Sequence, residues 1–205
     1  TLNDGAKITS PNASGIILNS NNTTLNINGG EIQAGASNAY VFYSYYGTTN
    51  INGGKIVTTG SSSYGIYNYY YAFTLNMNGG EINSNNIGIY LDQYTGSSSS
   101  SYKAARTANI YSGTISGKTY GIYQKHTNST LNIGRITDEL STEIPLISGG
   151  LYGIYKTGGY TNFYNGRLRG TQFGYTDDFN IIRNDMHIHT EIDIPEEVTE
   201  YTIPT

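Results

Sequence analysis

Apolar and polar positions alternate in short stretches that recur along the chain. Three segments of nine residues are almost identical: "TLNINGGEI" at 24–32, "TTNINGGKI" at 48–56 and "TLNMNGGEI" at 74–82. They lie about 24 residues apart, and self-similarity at a fixed period of this length is typical of a repeat architecture. The sequence therefore predicts one repeated structural unit.

Each repeat contains three stretches of alternating character separated by Gly, Asn and Ser. One ends in Ile or Leu and recurs as "GAKI" (5–8), "GGEI" (29–32), "GGKI" (53–56), "GGEI" (79–82), "SGTI" (112–115), "IGRI" (133–136) and "NGRL" (165–168). The second contains Asn, as in "TLNI", and the third is "YGIY" or a variant of it. A unit this small cannot bury a face alone, so successive units must stack. Stacked parallel strands give an all-β fold, a right-handed parallel β-helix with three strands per coil and about seven coils.

The alternation assigns side chains to the inside of the coil. The asparagine-containing stretches contribute the inward residues Leu25, Ile27, Ile51, Leu75, Met77, Ile110, Leu131, Ile133 and Phe163. Two further inward rows are Ile8, Ile32, Ile56, Ile82, Ile115, Ile136 and Leu168, and Ile16, Phe42, Ile66, Ile89, Ile122 and Ile154. Paired glycines such as Gly53-Gly54 supply corner conformations that residues with a Cβ resist.

Charge supports this alignment independently. The residue before each Ile or Leu of the first row runs Lys7, Glu31, Lys55, Glu81, Thr114, Arg135 and Arg167. In a stacked coil these residues are direct neighbours, and the first four alternate in sign. Opposite charges on neighbouring strands favour pairing and like charges oppose it.

Composition narrows the functional classes. Charged residues make up 13% of the chain, the net charge is −4, and 26 Gly and 21 Tyr accompany many Asn, Ser and Thr. Without a cluster of Lys and Arg, we expect no nucleic-acid partner. Without a run of about 18 apolar residues, we expect no membrane insertion. Cysteine is absent, which excludes disulfides and thiolate chemistry.

The "NGG-[EK]-I … YGIY" pattern resembles the right-handed β-helix repeats of large bacterial cell-surface proteins, especially from Gram-positive bacteria. The resemblance covers roughly residues 1–176 and rests on pattern, without a catalytic motif. It implies an extracellular adhesin or stalk, part of a longer chain, and no particular ligand. Its host-side or bacterial partner would be a surface glycan or protein. The same pectate-lyase-like fold also houses lyases and polygalacturonases, so fold alone does not choose between binding and catalysis.

Tyrosine gives the main candidate site. If Ile66 points inward within "YGIY", Gly65 and Tyr67 point outward, and the same reasoning exposes a row formed by Tyr43, Tyr67, Tyr90, Tyr123 and Tyr155. Further tyrosines lie nearby at Tyr45, Tyr46, Tyr69, Tyr70 and Tyr71. Stacked rings that only stabilise the sheet would give the same row. Tyrosine is also a preferred residue of rigid contact surfaces, so we expect this row to bind a ligand.

Other chemistry is less well supported. Asp185, His187, His189 and Glu191 alternate with apolar residues and would share one face of a strand, as either a metal-ligand set or the polar side of a terminal strand. We expect no cofactor.

A polysaccharide lyase or glycosidase is the alternative function. Glycosidases need two carboxylates around the scissile bond. Asp177-Asp178 is the only Asp-Asp pair, and adjacent strand residues point to opposite faces. Asp138 and Glu139 lie in an insertion. We therefore expect a non-catalytic domain.

An ice-binding solenoid is a second alternative. Its basis is a grid of small polar residues, the threonine row Thr24, Thr48, Thr74, Thr107 and Thr130 with the asparagine row Asn26, Asn50, Asn76, Asn109 and Asn132. Asparagine rows also form structural ladders.

The C-terminal part departs from the repeat. Acidic residues accumulate after Arg183, and "IPEEVTEYTIPT" contains two of the four prolines. Proline and charge block further strand addition at an open sheet edge. We expect a β-helix over residues 1–194, capped by about 177–194, followed by a linker or the start of another domain at 195–205.

Overall fold

The computed structural model describes residues 1–18, 22–44, 46–69, 71–93, 104–135, 144–176, 180–181 and 189–190. Their regular secondary structure is β-strand, and every strand pair is parallel. No helix in these ranges is long and apolar enough to cross a membrane. The fold is all-β with parallel sheets, consistent with the parallel β-solenoid that the repeats predict.

The strands form three columns, one for each stretch of the repeat. The isoleucine column contains β1 (Lys7–Ser10), β4 (Glu31–Ala34), β7 (Lys55–Thr58), β14 (Leu146–Gly149), β17 (Arg167–Gly170) and β20 (His189–Thr190). The asparagine column contains β3 (Thr24–Ile27), β6 (Thr48–Ile51), β13 (Ser129–Ile133), β16 (Tyr160–Phe163) and β19 (Asn180–Ile181). The long strands β9 (Phe73–Ser84) and β11 (Arg106–Gly117) run through both columns and join them into one sheet.

The tyrosine column is a separate seven-stranded sheet. It contains β2 (Ile16–Leu18), β5 (Tyr40–Ser44), β8 (Tyr64–Asn68), β10 (Ile87–Leu91), β12 (Tyr120–Gln124), β15 (Tyr152–Lys156) and β18 (Phe173–Tyr175).

The predicted charge row is confirmed over its first five members. Lys7 pairs with Glu31, Glu31 with Lys55, Lys55 with Glu81, and Glu81 with Thr114. Lys7 and Lys55 form ion pairs with the following glutamates, each with an N–O distance of 3.0 Å.

The predicted alignment of the next coil is wrong. Thr114 pairs with Leu146, and Leu146 with Arg167, so Arg135 is not part of the row. Arg135 lies outside the strands, with its guanidinium 5.0 Å from the centre of the Tyr111 ring. Ile147 takes the position assigned to Ile136, which lies outside the described residues. The inserted residues around Asp138 and Glu139 therefore come before the isoleucine strand of this coil in the sequence, and not after it. Both Ile136 and Ile147 satisfy the sequence pattern, and Ile147 is the one that pairs in the row.

The inward rows form one continuous apolar core. Apart from Ile136, which is not described, their members are buried with three exceptions at the N-terminal end, where Leu25 and Ile16 are partly buried against the core and Ile8 is 36% exposed. Ile8 lies on β1, at the end of its column, and has a neighbouring strand on one side only. Ile8 is therefore more exposed than the prediction of an interior residue implies.

Gly65 does not point outward. It is buried, and a Cβ at this position would lie 2.6 Å from a side-chain carbon of the core residue Ile82. Gly65 and Ile66 are both buried, while Tyr64 and Tyr67 on either side are partly exposed. Strict alternation is therefore broken, and one strand presents two tyrosines three residues apart. A larger residue than Gly would collide with the core.

Candidate functional site

The predicted tyrosine row exists in register. Tyr43 pairs with Tyr67, Tyr67 with Tyr90, Tyr90 with Tyr123, and Tyr123 with Tyr155. All five side chains are partly exposed. The recurrence of "YGIY" and its variants was sufficient to predict this row, because every copy occupies the same place in its coil.

A second aromatic row lies beside the first, and sequence reasoning missed it. Its members in order are Tyr40, Tyr64, Ile87, Tyr120, Tyr152 and Phe173. The signal was present in the first letter of "YGIY", but strict alternation would turn that tyrosine and the last one to opposite faces. The inward Gly-Ile pair places both on the same face.

The two rows interlock into one zigzag of rings along the column. Consecutive ring centroids lie 4.7 to 6.5 Å apart in the order Tyr43, Tyr40, Tyr67, Tyr64, Tyr90, Tyr123, Tyr120, Tyr155, Tyr152 and Phe173. These ten residues are called the tyrosine face below. Ile87 interrupts the second row without interrupting the zigzag, because Tyr90 stacks directly on Tyr123 at 4.7 Å and 4°. Ile87 itself is buried.

Stacking determines which part of each ring can meet a ligand. Tyr67 is stacked against Tyr40, Tyr43 and Tyr64 at centroid distances of 5.0 to 5.4 Å. Ring faces occupied by other rings cannot also stack on a sugar. The tyrosine face therefore offers mainly ring edges and hydroxyl groups. Phe173, at the end of the zigzag, is 60% exposed.

Asp92 lies at the margin of the tyrosine face and organises its central hydroxyls. Its carboxylate accepts a hydrogen bond from the Tyr67 hydroxyl at 2.9 Å and another from the Gln93 backbone N–H at 2.7 Å. Lys125 forms an ion pair with it at 2.9 Å. The Lys125 ammonium also donates to the Tyr90 hydroxyl, at 3.4 Å. The Asp92 side chain is nearly buried, so these partners replace the water it has lost.

The same environment keeps these hydroxyls protonated. Burial, and then the Asp92 charge, raise the pKa of Tyr67 and of Tyr90 well above the ordinary value. Burial also raises the pKa of Tyr64 and Tyr120. The Asp92 hydrogen bond raises the pKa of Lys125. At neutral pH these four hydroxyls are therefore protonated and able to donate.

Arg106 is a buried cation beside Asp92, and no pattern in the sequence predicted its burial. Its guanidinium donates to the Asn68 side-chain oxygen, to the backbone oxygens of Ala104 and Tyr69, and contacts the His126 ring. Burial lowers the pKa of Arg106 to about 10, so it stays charged at neutral pH. It links segments from three successive coils behind the tyrosine column.

The other candidate residues are distributed as follows. Tyr46 and Tyr71 stack on each other, and the ring centroids of Tyr69 and Tyr67 are 5.8 Å apart. Tyr45 and Tyr70 lie outside the described residues, as do the metal candidates Asp185, His187 and Glu191 and the acids Asp138, Glu139, Asp177 and Asp178. His189 is in β20, and its side chain is not described. Within the described ranges, no three His, Asp or Glu residues are grouped to hold a metal.

The threonine and asparagine rows are in register on the asparagine column. Each asparagine amide donates to the side-chain oxygen of the asparagine one coil earlier, at 2.7 to 2.9 Å, from Asn50 through Asn162. These amides are therefore engaged within the chain as a structural ladder.

The comparisons with known proteins give no family: no protein-family model, curated protein or solved structure matches the chain. The geometry of the tyrosine face is therefore the basis of the functional proposal.

Proposed function

We propose that the chain is a non-catalytic, extracellular adhesin or stalk domain whose tyrosine face binds a surface carbohydrate or protein. The observation that carries this proposal is the unbroken zigzag of rings along one column. The molecule around it is a right-handed parallel β-helix with three strands per coil and about seven coils, within a longer bacterial cell-surface chain. Parallel strands joined by crossovers are right-handed in nearly all proteins, which supports the handedness.

The physical case for binding rests on rigidity and on the hydroxyl groups. Rings held by stacked neighbours lose little conformational entropy when a ligand docks. Phenylalanine would stack equally well, whereas tyrosine adds a hydrogen-bonding group at the outer edge of the ring. A ligand rich in hydroxyl or amide groups, such as a glycan or an extended peptide, matches this edge. Individual contacts are weak, and adhesion then depends on many of them acting together.

The test is binding of the purified fragment to a glycan array and to immobilised surface proteins. The decisive variant is Tyr123→Phe with Tyr155→Phe, which removes two hydroxyls while keeping the stacked rings. Tyr111→Phe removes a hydroxyl outside the tyrosine face and serves as the matched control. We expect the double variant to lose binding and the control to keep it, with both far-UV spectra unchanged.

The outcomes separate the two versions of the proposal. If the double variant binds every ligand as the parent does, or if no ligand is found, the stalk function remains and the binding function is rejected. Turnover of polygalacturonate or a related glycan, abolished by Asp177→Ala or Asp178→Ala, would instead favour the polysaccharide-processing enzyme.

A further inference from the structure

Tyr46 and Tyr71 form a stacked pair separate from the tyrosine face. Tyr46 lies between β5 and β6, and Tyr71 lies at the equivalent place one coil later, between β8 and β9. Their ring centroids are 4.1 Å apart and their planes differ by 11°, a closer stack than the 4.7 Å of Tyr90 on Tyr123. The Thr74 N–H donates to the Gly47 carbonyl at 3.0 Å, so the backbones beside the two rings are held in register.

The two phenols also influence each other, since partial desolvation and then the neighbouring Tyr71 hydroxyl raise the pKa of Tyr46. Nearly parallel rings at a centroid distance of 4.1 Å also bring close together the ring carbons next to each hydroxyl, the Cε atoms. Both side chains are partly exposed, so a diffusing oxidant can reach them.

From this geometry we propose that Tyr46 and Tyr71 are a site of oxidative cross-linking, which joins two neighbouring coils by a dityrosine bond. The oxidant is of the haem peroxidase and hydrogen peroxide class. Each phenol loses one electron and one proton, and the two radicals couple through a Cε–Cε bond. Tautomerisation then restores both aromatic rings. The two electrons and two protons reduce one hydrogen peroxide to two waters.

The link would give this chain the kind of covalent bridge that it cannot make from cysteine, which is absent. A bridge between residues distant in sequence restricts the unfolded chain and so favours the folded one. It would hold the β5–β6 corner to the β8–β9 corner, the place where the tyrosine column passes to the asparagine column.

The experiment treats the purified chain with peroxidase and hydrogen peroxide at low protein concentration. We expect dityrosine fluorescence, an intact mass lower by two hydrogen atoms, and a cross-linked peptide pair containing Tyr46 and Tyr71. The cross-linked chain should also unfold at a higher temperature than the untreated chain.

Two variants make the assignment specific. Tyr46→Phe keeps the stack but lacks one phenol, and it should lose the intramolecular cross-link. Tyr90→Phe alters another stacked pair, Tyr90 and Tyr123, and should cross-link as the parent does. Equal cross-linking in Tyr46→Phe, a link mapped to the tyrosine face, only intermolecular dimers, or no dityrosine in the parent would each overturn the proposal.

Discussion

At the residue scale, the tyrosine face depends on polar side chains that are not part of the repeat. Asp92 follows β10, and Arg106 begins β11, on either side of an insertion. Asp92 accepts a hydrogen bond from the Tyr67 hydroxyl. The Arg106 guanidinium donates to Asn68 and Tyr69 and contacts the His126 ring. Successive coils of the column are therefore held together here by charged side chains in addition to apolar packing and stacking.

The hydroxyl of Tyr67 should contribute to stability, whereas that of Tyr123 should not. Tyr67→Phe removes a donor from the nearly buried Asp92 carboxylate and should lower the free energy of unfolding by about 1.5–3 kcal/mol. Tyr123→Phe removes a hydroxyl with no hydrogen-bond partner among the described residues and should stay within about 0.5 kcal/mol of the parent. Urea unfolding followed by circular dichroism measures both. Equal effects would show that Asp92 does not anchor Tyr67.

Arg106 should not be replaceable by lysine. Its planar guanidinium donates in several directions at once, and an ammonium group cannot reproduce this fork. Arg106→Lys leaves buried acceptors unpaired and should destabilise the fold by about 3 kcal/mol or more. The measurement is the same unfolding titration, with Lys125→Arg as a conservative exchange at a more exposed site. A stability close to the parent's would contradict the buried-clamp interpretation.

At the element scale, the corners decide how each coil turns. In the three Asn-Gly-Gly corners the second glycine has a positive φ, +77° at Gly30, +81° at Gly54 and +81° at Gly80. Residues with a Cβ rarely adopt this conformation. The corners are also crowded: a Cβ on Gly54 would lie 2.7 Å from the Gly29 backbone of the previous coil. The repeat thus uses glycine for both its φ and its lack of volume.

Gly5 allows these two effects to be separated. Its φ is +77°, and a Cβ there would meet nothing within 4 Å. Gly5→Ala should therefore cost only the conformational strain, about 1–2 kcal/mol. Gly54→Ala adds the clash with the neighbouring coil and should cost clearly more. Thermal unfolding of the two variants compares them directly, and a Gly54→Ala variant no less stable than Gly5→Ala would refute the crowding argument.

At the whole-molecule scale, the repeat explains what could be predicted from sequence. Rows set by periodicity, such as Ile32, Ile56 and Ile82, were predictable because each coil repeats the same side chains. Ile147 was not, because an insertion shifted the coil and offered two equivalent isoleucines. The second aromatic row could not be predicted from strict alternation. Gly65 and Ile66 are both buried, so Tyr64 and Tyr67 lie on the same face of the strand. The contacts of Asp92 and Arg106 join residues that are far apart in the sequence and are not part of the repeat, so periodicity could not predict them.

The asparagine ladder gives the molecule a direction along its axis. From Asn50 onward, each amide donates to the asparagine of the preceding coil, so Asn76 donates to Asn50 and accepts from Asn109. Asn26 begins this ladder in β3: it accepts from Asn50, and its own amide has no hydrogen-bond partner among the described residues. A carboxylate can accept but cannot donate at neutral pH. An aspartate should therefore be tolerated only where the donor is not used.

This polarity yields a matched pair of substitutions. Asn76→Asp loses the bond to Asn50 and places a carboxylate against its oxygen, so it should lower the free energy of unfolding by about 1–3 kcal/mol. Asn26→Asp keeps the single bond that this residue accepts and should change stability by less than about 0.5 kcal/mol. Both variants add the same charge to the same column, so net charge cannot account for a difference between them. Denaturant unfolding at neutral pH measures the free energy of unfolding of both variants.

Lowering the pH to protonate the new carboxylate should restore part of the stability lost in Asn76→Asp, because the acid form can again donate. Equal stability of the two variants would mean that the amide direction is not fixed along the column.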